Sequence, residues 1–307
     1  MLQDLVEIRK YWHTAEDLGS LPNDYQSWSA KQKQDFLWNE KILKSKYDEL
    51  PPLEKIDIPG LFLTALKTKM DREYDEAPPK WKKAIHAHGS VAKIKIVSTG
   101  DSPFTGLFKG VNHGFLRVSV TADPADRGVA PGLAIKLLVD GKSSGNFSAL
   151  VSLTGQGKNY NLLSNEFSNI VPVVNEFGPI LINLIFSRVT RYPTKLYLED
   201  MSEVDQHGQT VSNPHYPSQL FLVPNRELKF SEAPHDFRKD FTTISSDTQL
   251  FSIYAVDPKK IDGKLMGKPE YRQKAQLIGH ITTTSEFVSS FYGDSQLFFR
   301  HQRFKNR

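Results

Sequence analysis

Phe115-Leu-Arg-Val-Ser-Val120 and, shortly after it, Leu133-Ala-Ile-Lys-Leu-Leu-Val139 decide the fold of this chain. Both runs are apolar with single polar residues between, and both are bounded by Gly, Pro or Asp. They are too short for helices and read as buried strands between turns. The same character begins at Trp81, with Ile85, Val91, Ile94 and Ile96. It returns in Thr194 to Leu198, Gln219 to Val223, Gln249 to Val256, Ala275 to Thr283 and Ser295 to Phe299. The pattern predicts an antiparallel β core with long connections.

The first third reads differently. Ser29 is a helix cap with Gln32 at the capping-box position, and Phe36, Leu37, Ile42, Leu43 and Tyr47 follow at helical spacing up to Pro51-Pro52. A second helical stretch runs from about Pro59 through Met70, and the proline-bearing Asp71 to Pro79 reads as a linker or arm. Leu162 to Val189 is helical again. The chain therefore divides into a helical N-terminal arm, 1–80, and one β-rich domain, 81–307.

Hydrophobic residues at 39% allow a sizeable core, and charged residues at 24% are ordinary for a soluble domain. The absence of cysteine excludes disulfides, thiolate chemistry and iron–sulfur ligation, and fits a cytoplasmic setting. Net charge is +4, with Arg300, Arg303, Lys305 and Arg307 at the end, which read as a solvated tail rather than a nucleic-acid site. The start lacks the basic-then-apolar order of a signal peptide. The most apolar run, Ile180 to Val189, is interrupted by Asn183, Ser187 and Arg188 and is too short to span a bilayer.

Four blocks resemble haem catalases, in the family's order. Lys82-Lys-Ala-Ile-His-Ala-His-Gly89 is similar to the strand of the distal histidine, and Phe115-Leu-Arg-Val-Ser-Val120 to the strand that follows. Pro131-Gly-Leu-Ala-Ile-Lys-Leu-Leu-Val-Asp140 and Ser144-Gly-Asn-Phe147 are similar to the next two, the last of which supplies the distal asparagine. Further on, Asp236-Phe-Arg-Lys-Asp-Phe241, the run around Phe251, and Gln276 to Thr282 sit where the family has its later barrel strands. The resemblance covers the chain from Trp81 onward and is shared with catalase-related allene oxide synthases. It implies an α+β fold: a catalase-type antiparallel β-barrel with external helices and the N-terminal helical arm.

The resemblance also implies a site inside that barrel. His86 takes the place of the acid–base histidine, Asn146 that of the amide that orients a peroxide, and Ser119 that of the hydroxyl supporting the histidine. Arg117, Lys83 and Ile85 fall at cofactor-binding positions, with haem as the expected cofactor and the two basic residues at propionate positions. Lys83 keeps the charge and loses the guanidinium fork. The implied ligand is a peroxide or a lipid hydroperoxide, and a homo-oligomer is compatible.

The proximal side departs from the family. No Arg-x-x-x-Tyr helix follows the last strand run, and Arg188-Val-Thr-Arg-Tyr192 has the spacing but lies too early in the chain. His301 is an alternative axial ligand, or simply a polar tail residue, so the metal ligand stays unknown. His86-Ala-His88 could be a metal pair, because alternate strand residues share a face. Arg117 could instead pair with an acid on a neighbouring strand. A haem-free barrel that binds an apolar ligand or serves a structural role is the competing function.

Overall fold

The computed structural model describes residues 22–53, 87–99, 111–120, 132–139, 142–151, 196–198, 203–204, 210–211, 219–225, 227, 236–256 and 275–297. Ten strands lie among them: β1 His88–Ser98, β2 Val111–Val120, β3 Gly132–Val139, β4 Lys142–Val151, β5 Leu196–Leu198, β6 Glu203–Val204, β7 Thr210–Val211, β8 Gln219–Pro224, β9 Gln249–Val256 and β10 Ala275–Thr283. Three α-helices accompany them: α1 Ala30–Leu37, α2 Phe237–Phe241 and α3 Phe291–Ser295. The strands expected around Val91, Phe115, Leu133, Phe221, Phe251 and Ile278 all form, β9 and β10 with the expected limits.

Pairing is antiparallel throughout and runs β1–β10–β9–β8–β5–β4–β3–β2 back to β1. Six strands of eight residues or more, β1 to β4 with β9 and β10, make a curled sheet. The three-residue β5 and six-residue β8 close it into a barrel. β6 and β7 form a separate two-stranded ribbon.

Alternation sorts the side chains into two faces. Ala92, Ile94 and Ile96 of β1, Leu116 and Val118 of β2, and Leu133, Ile135 and Leu137 of β3 cluster with Phe251, Ile253 and Ala255 of β9 and Ile281 of β10. Strands on opposite sides of the ring meet only through its interior, so this is the inner face. Val91, Phe115 and Leu138 belong instead to a second cluster, with Leu37, Trp38, Ile42, Val288, Tyr292 and Leu297. That is the outer face, and it is covered by α1, the π-helical turn Trp38–Leu43 and α3.

The capping box at Ser29 forms as the sequence predicts. Its hydroxyl accepts from the Gln32 backbone, and the Gln32 side chain accepts from the Ser29 N–H at 2.9 Å. Ala30, Lys33, Gln34 and Leu37 are the buried stripe of α1. Gln34 docks the helix: its amide donates to the carbonyls of Ile94 and Gly114, at 2.9 and 2.6 Å, which face each other on β1 and β2. The π turn follows directly, so the helical stretch is over by Leu43, ahead of the prolines.

Two expectations are corrected. Ser295 to Phe299 is not a strand through its described part: Ser295 ends α3, and Gln296 and Leu297 are turn and coil. Ser290 caps that helix by accepting from the Gly293 N–H, and local capping outweighs an apolar run. Asp236 to Phe241 is likewise not a strand. Asp236 caps α2 by accepting from the Arg238 N–H at 3.0 Å. The helices expected from Pro59 and over Leu162 to Val189, and the arm Asp71 to Pro79, lie outside the described residues.

Candidate functional site

A buried polar cluster gathers on the outer face where β1 begins. Its centre is Asp294 of α3. Arg117 of β2 donates through Nη2 to Asp294 Oδ1 at 2.8 Å and to the Ala87 carbonyl at 3.0 Å. The Gly89 N–H donates to the same oxygen at 2.9 Å. The two charged side chains are only 3% and 6% exposed, so solvent screens their attraction little. Gly89 makes the geometry possible. A Cβ there would stand 2.9 Å from the Arg117 guanidinium carbon and 2.3 Å from the Val118 carbonyl oxygen. The guanidinium can lie across β1 because that position has no side chain.

Two more groups reach Asp294. His88 Nδ1 stands 3.4 Å from Oδ2. Tyr47, just beyond the π turn, hydrogen-bonds the same carboxylate. Burial, then the Asp294 charge and that bond, push the Tyr47 phenol up to about 12, against the opposing pull of Arg117 and Arg238. Arg238 of α2 is 1% exposed, grips both oxygens of Asp236 and donates to the Pro51 carbonyl at 2.7 Å. It fastens the segment after the π turn to the barrel. Farther along β2, His113 lies half-buried, and burial, then the charge of Lys31, hold it below its usual range.

The expected site residues fall as follows. Lys83, Ile85 and His86 lie outside the described residues. Asn146 is on β4, opposite Lys136 of β3, and the row continues through Phe115 to Lys93. The side chain of Asn146 is outside the description. Ser119 is buried opposite Gly89, so it shares the face of Arg117 rather than that of the interior residues Leu116 and Val118. Arg117 has the acid partner that the simpler reading of it anticipated, though on α3 and not on a neighbouring strand.

That partner bears on haem. The resemblance assigns Arg117 to a propionate, and here a carboxylate of the protein already sits on the guanidinium in a nearly sealed place. A propionate would have to expel Asp294 and strip the Gly89 N–H of its acceptor. Arg117 does not fit the assigned role. Among the described residues no group of three or more His, Cys, Asp or Glu could hold a metal ion, and no helix is long and apolar enough to cross a membrane.

Asp294 and Tyr47 were not singled out by the sequence for this site. The signal is faint: Asp294 is 177 residues from Arg117 along the chain, and an acid in a short Gly-Asp-Ser run reads as a turn. No family model, no curated protein and no solved structure matches the chain.

Proposed function

We propose that this chain is a haem-free protein of catalase-like architecture, a binding or structural module built on the barrel. The observation that carries the reading is the seat of Arg117, filled by Asp294 and closed by Gly89 and Tyr47. The inner face of the described strands offers apolar side chains such as Leu116, Ile135 and Phe251, which suits an apolar ligand or none. The test is the absorption spectrum of protein purified from cells supplied with haem precursor. The reading expects no Soret band. A band at one haem per chain overturns it.

A second reading keeps support from one feature of the fold. Strands β2, β3 and β4, whose sequences resemble three of the catalase blocks, lie side by side in chain order, next to β1, which starts in the last two residues of the first block. On this reading the chain is a cytoplasmic, haem-dependent enzyme, compatible with a homo-oligomer, acting on a peroxide or lipid hydroperoxide. His86 is its acid–base group, Asn146 the orienting donor, Ser119 the support for the histidine, and Lys83 and Ile85 line the haem. Haem would supply the redox chemistry of the O–O bond. Haem-loaded protein that consumes hydroperoxide, and loses this with His86→Ala while keeping the haem, would establish it.

A further inference from the structure

His113 of β2 stands apart from the cluster around Asp294, and the proposed function makes no use of it. It shares the outer face with Phe115 and Arg117, between Lys95 of β1 and Leu138 of β3. α1 lies over this stretch, and Gln34 donates to the carbonyl of Gly114, the next residue, at 2.6 Å. His113 Nδ1 is buried and has no hydrogen-bond partner. The charges that act on the ring come from the elements packed against it. α1 brings Lys31 and Asp35, β1 brings Lys93 and Lys95, and β3 sets the uncharged Leu138 opposite. Asp35 is the one acid in this group, and both its oxygens are taken, one by Lys31 and the other by Lys93 at 3.0 Å. Lys95 reaches outward to the exposed Asp247 at 3.5 Å.

We infer that His113 is an acid-sensitive latch for α1: neutral, it lets the helix lie across β1 and β2, and protonated, it favours release of the helix, which uncovers Phe115 and Leu138 from beneath Leu37 and Trp38. An imidazolium carries a proton on both nitrogens. Nδ1–H would then be a charged donor sealed from water without an acceptor, among three lysines and an acid already committed. A neutral ring can leave Nδ1 as a bare acceptor, and an unmade bond costs more when the group is charged. Undocking wets the nitrogen and takes Lys31 away with the helix. Burial, then the charge of Lys31, against the opposing Asp35, hold the docked ring below its ordinary 6.5. The docked form therefore binds the proton more weakly than the undocked form. Docking is at full strength above pH 6.5 and weakens as pH falls from there toward the docked value. Each unit between the two values multiplies the undocking constant about tenfold. Asp35 titrates outside this window: burial raises its carboxyl, and the bonds from Lys31 and Lys93 outweigh that and hold it below 3.8. The latch is separate from whatever the barrel binds and needs no haem.

Hydrogen exchange of the full chain tests this. It is read at the backbone amides of α1, with those of β9 as the reference, from about pH 8 to about pH 5, and corrected for the intrinsic pH dependence of exchange. We expect protection of α1 to fall as pH drops below 6.5 while β9 keeps its own. In His113→Gln, which cannot take the proton, that fall should be absent. A second measurement needs no variant: the imidazole titration of His113 in the native chain, assigned through its own backbone signals, should have its midpoint below 6.5. Protection of α1 that stays level across the range, or that falls in step with β9, overturns the inference. A folded His113→Gln that keeps the fall overturns it too. A His113 midpoint at or above 6.5 does so whether or not the variant folds.

Discussion

The two faces of the β1–β2 ribbon hold the molecule together in different ways. On the inner face Ala92, Ile94, Ile96, Leu116 and Val118 meet the far side of the barrel through apolar contact. That attraction has no direction and scales with area removed from water. On the outer face, one residue out of phase, Gly89 and Arg117 meet Asp294 through bonds of fixed length and direction. The inner face will accept another apolar residue of like volume. The outer cluster accepts almost nothing else, because each group removed strands another without water.

The contrast is sharpest for Asp294→Ala. It leaves the Arg117 guanidinium buried without its carboxylate and the Gly89 N–H without an acceptor, and should cost about 3–5 kcal/mol in a denaturant titration. Leu116→Ala, which opens a hole in the interior next to Val118, should cost about 3 kcal/mol by the same measurement. If the interior change is much the more damaging, the outer cluster is ornament to a barrel held by its core.

The same contrast explains what the sequence revealed. β9 and β10 were legible to the residue because Gln249 to Val256 and Ala275 to Thr283 are apolar-rich runs between turns, a local signal. The capping box was legible because Ser29 and Gln32 are three residues apart. Asp294 was not, because a directional contact depends on where the chain has travelled, and nothing near Asp294 points to Arg117. The strand expected over Ser295 to Phe299 is absent from its described part, Ser295 to Leu297, for a related reason. A cap at Ser290 and the anchoring of Asp294 on β1 hold the preceding turn as a helix, which an apolar run cannot disclose. Of the candidate site, the sequence singled out Arg117 and Ser119 but disclosed neither the outer face they share nor the acid on α3 that Arg117 meets.

Smaller effects separate local from tertiary contributions. Ser29→Ala removes one half of a capping box at an exposed position and should cost about 1 kcal/mol. A loss several times larger would mean that α1 docks through its cap rather than through Gln34 and Leu37. Tyr47 gives a pH test. Its phenol is raised from the ordinary 10.0 to about 12, so the folded state keeps a proton that the unfolded chain releases first. The stability due to Tyr47 is thus complete below pH 10 and is lost as pH rises through 12. Phenolate absorbance should show Tyr47 among the tyrosines that titrate late, and Tyr47→Phe should reduce the late step by one phenol. An unchanged titration curve in the variant would place the late phenol elsewhere.

The central claim is that Arg117 and Asp294 form one unit, each present because of the other. A double-mutant cycle tests it most directly, with Arg117→Met, Asp294→Leu and both together, each measured by chemical denaturation. Removing one charge leaves the other buried without its opposite charge, whereas removing both leaves apolar groups of similar size. The account predicts that each single variant loses about 3–5 kcal/mol and that the double variant loses less than either. Losses that simply add would contradict it.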